Sequence, residues 1–211
     1  MTARLVTAVS CLFVFMLNGT NVHAADAAAG KNLFPVCTAC HGVAGLGNQA
    51  MNAPKLAGQE SWYIVKQMQL FQNGARGTAP GDMQGMQMGA MSKGPQLQGE
   101  VALQNVAAYI GTFENQKPTP TVTGDAAAGK NGYVICGTCH GAQGEGNETM
   151  GGPRLAGQND WYLVSQIKKF KAGQRGYHNM DHGGRQMRPM AMTLVDDAAI
   201  NNVVAYINTL P

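Results

Sequence analysis

The chain has 211 residues, a formal net charge of +3, 45% hydrophobic residues and only 7% aromatic ones. No basic stripe is interleaved with aromatics, so nucleic-acid binding has no support in this composition. The length admits one or two domains.

Residues 1–24 read as an export leader to be removed. Arg4 gives a short positive start, residues 5–17 are an apolar run, and Val22-His23-Ala24 supplies the small-residue pattern for cleavage after Ala24. The run is too short and wrongly flanked for a transmembrane helix, and no later segment is long and apolar enough to span a bilayer. Cys11 falls within the leader. The other four cysteines form two short motifs, leaving no thiol for a structural disulfide even though an exported compartment permits one.

The first motif is Cys37-Thr38-Ala39-Cys40-His41 and the second is Cys136-Gly137-Thr138-Cys139-His140. Two thiols separated by two residues, with a histidine directly after, are the signature of covalent c-type haem attachment. The thiols add to the two vinyl groups on one porphyrin edge, and the adjacent imidazole reaches the iron from one face. A redox dithiol or half of a zinc site also begins with Cys-x-x-Cys, but neither requires the histidine that both copies carry.

The motifs belong to a tandem duplication. Residues 26–77 align with 125–176 at a constant offset of 99 with 28 identities in 52 positions, too many for coincidence. Leu-Ala-Gly-Gln followed by Trp-Tyr recurs in both copies, the register holds through Met91 and Met190, and it shifts by two before each closing Ala-Tyr-Ile. Between the copies, residues 114–124 include Lys-Pro-Thr-Pro-Thr, which favours an extended, semi-rigid connector. The expected organisation is 1–24 leader, 25–117 first domain and 118–211 second domain. Each domain is small for a self-sufficient core, and a buried porphyrin supplies the missing apolar surface.

The expected fold class is all-α. Asp26 and Asp125 are N-caps for a short helix running into each motif. Residues 62–71 and 161–170 carry apolar residues at helical spacing and end at Gly74 and Gly173, and residues 100–113 and 196–210 form closing helices. The glycine-rich stretches between them read as loops.

Cys-x-x-Cys-His near the start, Pro-x-Leu-x-Gly-Gln, a later methionine and a final Ala-Tyr-Ile helix resemble class I cytochrome c. Two such units behind a leader are similar to the dihaem cytochrome c4 family, across essentially the whole mature chain. The resemblance implies two covalent haem c groups in domains related by a pseudo-twofold axis, propionate edges near the interface, and electron shuttling in the bacterial periplasm. Redox proteins such as a membrane respiratory complex or terminal oxidase are the implied partners, and peripheral membrane association is compatible with that role. Four propionates would bring the holoprotein near neutrality, so the bare charge is a poor guide to partners.

His41 and His140 are the expected proximal ligands. The first copy has no other histidine after residue 24, so its sixth ligand is methionine, lysine, water or nothing. A methionine at the same offset in both copies leaves Met88 with Met187 and Met91 with Met190. Met91 and Met190 lie nearer the closing helix, where the class I family carries its ligand, and are preferred. Met51 and Met150 follow the motif too closely. His178 and His182 occur only in the second copy and are alternatives there. Pro54 and Pro153 match the family proline whose carbonyl accepts the imidazole N–H, or are plain turn prolines. Arg76 and Arg175 are candidates to hold propionates or are solvated loop charges. Trp62 and Trp161 are candidates to reach a propionate or to pack a core.

Six filled positions leave an iron no site for substrate, so the expected function is outer-sphere electron transfer and no catalytic residue is assigned. Three readings compete. One is a dihaem enzyme with an open iron, peroxidase-like, which needs an acid–base group nearby. Another is the haem-bearing subunit of a larger dehydrogenase. The last is Cu(I) handling by Met83, Met86, Met88 and Met91, since thioethers suit Cu(I).

Overall fold

The computed structural model describes residues 24–211. Residues 1–23 of the proposed leader, Cys11 and His23 among them, lie outside the described residues. Those residues contain nine α-helices, one 3-10 turn and no strand. The first lobe holds α1 (Ala27–Leu33), α2 (Pro35–His41), α3 (Ser61–Gln72), α4 (Met83–Ser92) and α5 (Glu100–Ile110); the second holds α6 (Ala126–His140), α7 (Asp160–Lys171), α8 (His182–Met192) and α9 (Asp197–Ile207).

Both N-caps form as the sequence suggests. The Asp26 carboxylate accepts from the N–H groups of Ala28 and Ala29 at 2.8 and 3.1 Å, and Asp125 does the same for Ala127 and Ala128. The two copies then differ. Pro35 has no N–H to continue α1, so the helix stops at Phe34 and restarts as α2 with proline in its first turn. Val134 stands at the matching position, and α6 runs 15 residues without a break.

Of the stretches read as glycine-rich loops, 42–60 and 141–159 hold no helix, but Met83–Ser92 and His182–Met192 are helices. Asp82 accepts from Gly85 N at 3.0 Å and Asp181 from Gly184 N at 2.9 Å, so each starts with a capped turn. Methionine and glutamine, both good helix formers, then carry α4 past its glycines. Helix α8 even contains Pro189.

In each lobe the N-terminal helix crosses the closing helix, α1 against α5 and α6 against α9. The crossing is close because Gly30 and Gly129 stand there: a Cβ at either would lie 1.9 or 1.8 Å from the backbone oxygen of Asn105 or Asn202. Phe34, Ile64, Val106, Ala107 and Ile110 form the first core, and Tyr133, Leu163, Ile200, Val203 and Val204 are central to the second.

The lobes meet through reciprocal contacts. Gln59 Nε2 donates to the carbonyl of Arg154 at 3.2 Å, and Gln158 Nε2 donates to the carbonyl of Lys55 at 3.0 Å. Arg154 N donates to Glu60 and Lys55 N to Asn159, at 2.9 and 2.8 Å. Residue pairs that exchange roles across an interface are the mark of a twofold relation. The two lobes are pseudo-twofold mates within one chain.

Candidate haem sites

Helix α2 places Cys37, Cys40 and His41 at positions i, i+3 and i+4, hence on one face, and α6 does the same for Cys136, Cys139 and His140. Both imidazoles are buried. His41 Nδ1 lies 2.8 Å from the carbonyl oxygen of Pro54, and His140 Nδ1 lies 2.7 Å from that of Pro153. A carbonyl only accepts, so Nδ1 carries the proton and Nε2 is left with its lone pair. Burial holds both imidazoles below their ordinary pKa, outweighing the opposing pull of that hydrogen bond. Neutral imidazole is the form that ligates a metal.

The first thiol of each motif runs opposite to a redox dithiol, whose reactive sulfur needs a depressed pKa. Burial, with Cys40 adding to it, pushes Cys37 up to about 11, and burial also raises Cys136. These sulfurs are poised as neutral thiols.

A cavity in the first lobe brings Cys37, Cys40, His41, Met88 and Met91 together over an apolar floor that includes Leu97 and Val106. Met88 and Met91, three residues apart, share one face of α4. Met83 and Met86 of the same helix are exposed and are not among the residues lining the cavity, so the four methionines do not converge on a common point. In the second lobe, Met187 and Met190 occupy the matching positions on α8. His178 is engaged locally: its Nδ1 accepts from Met180 N at 3.2 Å. His182 is the exposed first residue of α8.

Arg76 and Arg175 are not solvated loop charges; both are buried where the lobes meet. Arg76 donates to Gln67 Oε1 at 2.6 Å in its own lobe, and to Tyr162 OH and Gln166 Oε1 across the interface, each at 3.2 Å. Arg175 returns the pattern, donating to Gln166 at 3.0 Å, Tyr63 OH at 2.6 Å and Gln67 at 3.2 Å. Each guanidinium also lies over a phenylalanine of its own lobe, Phe71 at 4.4 Å and Phe170 at 4.5 Å. Burial alone would raise the Tyr162 phenol, but the two guanidiniums outweigh it and hold the phenol below its ordinary pKa.

This arrangement fits a haem carboxylate edge. Two buried cations hydrogen-bond only neutral side chains, and Arg175 Nε has no partner at all. Buried charge in that state calls for a counter-ion. Tyr63, Gln67 and Arg76 of the first lobe line the thiol cavity together with Tyr162 and Gln166 of the second. Trp62 does not line it; the indole faces a shallow depression with Ser61 and Glu100, its Nε1 buried without a partner. Trp161 packs edge-on against Tyr162.

Tyr63, Tyr162, Gln67 and Gln166 were not singled out from the sequence, although each is identical in the two copies, which was the available signal. Lys169 was missed for a different reason. It has no repeat partner, because Leu70 stands at the matching position.

Two lobes, each offering paired thiols, a neutral imidazole and thioethers, define a tandem covalent-haem protein. The cytochrome c family profile matches residues 27–114 and 126–211. The chain is 35% identical to cytochrome c4 of Azotobacter vinelandii, across 93% of this chain and 96% of that one. It is 36% identical to a thiosulfate dehydrogenase electron acceptor of Thiomonas intermedia, across 66% of this chain and 64% of that protein. The crystal structure of reduced recombinant cytochrome c4 from Pseudomonas stutzeri superposes with a TM-score of 0.66 at 31% identity, covering 89% of this chain and all of that one. The chain belongs to the cytochrome c family and, within it, to the dihaem cytochromes c4. It binds two covalent haem c groups and is an electron carrier.

Proposed function

We propose that the protein carries single electrons between periplasmic respiratory partners, for example towards a terminal oxidase, with no substrate chemistry at either metal. In this reading Cys37 and Cys40 tether one porphyrin and Cys136 and Cys139 the other. His41 with Met91 and His140 with Met190 supply the axial ligands. Haem iron contributes a one-electron couple, and a thioether ligand raises its potential. Pro54 and Pro153 hold the imidazoles in place through their carbonyls. Arg76 and Arg175, with Tyr63 and Tyr162, clamp the carboxylate edges where the lobes join.

The observation that carries this reading is the first cavity, where an imidazole and two candidate thioethers are available to fill both axial positions. The one carboxylate lining it, Asp82, is already committed to capping α4 and to an ion pair with Lys169 at 2.5 Å. That carboxylate is therefore not free to serve as the acid–base group of peroxidase-like chemistry. Native protein should therefore not bind carbon monoxide rapidly in the ferrous form or cyanide in the ferric form. Rapid saturation of either metal in a stopped-flow experiment would overturn the proposal.

A second reading is favoured by the Thiomonas relative: the chain acts as the acceptor for a sulfur-compound dehydrogenase. Reduction by thiosulfate together with a purified thiosulfate dehydrogenase, at a rate saturating in the cytochrome, would support that partner.

The export leader at residues 1–24 and the periplasmic location belong to the same proposal. Mass spectrometry of the secreted protein should find Ala25 at its N-terminus.

A further inference from the structure

The two lobes carry the same formal net charge, so their total charges do not rank the two metals. Their buried charges do. Asp82 caps α4 and lines the first cavity, and Asp181 caps α8 in the second lobe; both are almost completely buried. Lys169, on α7 of the second lobe, reaches across the interface and places Nζ 2.5 Å from Asp82 Oδ1 and 3.0 Å from Gln84 Oε1. It lines the first cavity from outside that lobe. The pair is shielded on both sides, with side-chain exposures of 13% for Lys169 and 3% for Asp82.

The reverse contact does not exist. At the position equivalent to Lys169 the first lobe has Leu70, buried in its own lobe. Among the described residues, Asp82 has a lysine against it and Asp181 makes no salt bridge.

We infer that Lys169 makes the haem of the first lobe the higher-potential centre, so that an electron entering either lobe comes to rest in the first. The inference rests on the dihaem electron-carrier reading. A carboxylate beside a porphyrin favours the ferric state, because it compensates the extra positive charge on iron. In the first lobe the ammonium cancels that effect; in the second, Asp181 has no lysine against it and the only buried cation it feels is Arg175, whose repeat counterpart Arg76 is buried in the first lobe as well. Arg185 and Arg188 add positive charge on α8, where α4 has Met86 and Gly89, and would push the order the other way. Both are exposed, so water and salt screen them, whereas a charge within a shielded pair is screened far less.

The test is a potentiometric titration of the full dihaem protein, with haem content fixed by pyridine haemochrome. Lys169→Met keeps the length and apolar stem of the side chain and removes its charge. The higher of the two one-electron steps should fall while the lower stays in place. The expected narrowing is about tenfold in the equilibrium constant for electron exchange between lobes, ~59 mV for a one-electron couple. Adding Asp82→Asn to Lys169→Met should return the higher step, because the uncompensated carboxylate is then gone. Asp181→Asn alone should raise the lower step.

A fall in the lower step with Lys169→Met, or no movement in either, overturns the ranking. So does a double variant that stays displaced, since that would make the effect structural rather than electrostatic. A chain with fewer than two haems would instead sink the dihaem reading beneath it.

Discussion

His41 and His140 are each fixed by one hydrogen bond, from Nδ1 to a proline carbonyl 13 residues on. That bond selects the tautomer and orients the ring before any metal arrives. In the proposed reading the opposite side takes a methionine, and α4 offers two on one face. If Met91 is the ligand, Met91→Ala should halve the methionine-sulfur-to-iron charge-transfer absorbance of the oxidised protein and lower one potential. Met88→Ala should leave both signals in place. The reverse outcome would transfer the role to Met88 and, through the repeat, to Met187. The grouping of thiols and imidazole on one helix face was legible because attachment chemistry demands a fixed local spacing. The surroundings of Arg76 and Arg175 were not. Their burial depends on Tyr162 and Tyr63, which are 86 and 112 residues away and belong to the other lobe.

At the scale of elements, each lobe is set by how closely its first helix approaches its last. Gly129 on α6 sits against the Asn202 carbonyl of α9, and Asp125 N donates to the Asn202 side chain at 2.7 Å. The pair Gly30 and Asn105 repeats this in the first lobe. Gly129→Ala must push the two helices apart, because the obstruction is backbone and does not swing aside. It should cost ~3 kcal/mol, the upper end of overpacking penalties, read as a lowered urea midpoint for the second lobe. Gly132→Ala is the comparison: its Cβ would meet only a Val203 methyl, at 2.7 Å, so it should cost less. The helices at 61–72 and 160–171 were visible from apolar periodicity. Helices α4 and α8 were not, because glycine frequency outweighed the Asp82 and Asp181 caps that start them. The break between α1 and α2 follows from Pro35, which the uninterrupted α6 lacks.

For the molecule as a whole, the duplication told how many lobes to expect but not how the connector between them is held. The connector has no regular structure, as its prolines suggest, yet it is pinned to the second lobe. The Asp160 carboxylate accepts from Thr121 N at 2.5 Å, Thr121 Oγ1 at 2.8 Å and Val122 N at 2.7 Å, as well as from Trp161 N and Asn208 Nδ2. Lys117 Nζ donates to the carbonyl of Leu210 at 2.8 Å, and Val122 packs on the second core. The first copy has Ser61 at the position of Asp160, so the repeat gave no hint of this clasp. Burial alone would raise the Asp160 carboxyl, but the hydrogen bonds from Val122, Thr121 and Trp161 outweigh it and hold it below the ordinary range. A depressed carboxyl stabilises the fold above its unfolded pKa, about 3.9 for aspartate, and the contribution fades as pH falls through the lower folded value. Asp160→Ala removes the acceptor of three backbone N–H groups, those of Thr121, Val122 and Trp161, and should cost ~2 kcal/mol at pH 7, measured by urea unfolding, with faster proteolysis at residues 114–124. The gap between wild type and variant should close as the medium is acidified below pH ~4, because wild type then loses the same charged acceptor. A gap that persists undiminished well below the folded value would mean that the connector is held by packing of Val122 and not by the carboxylate.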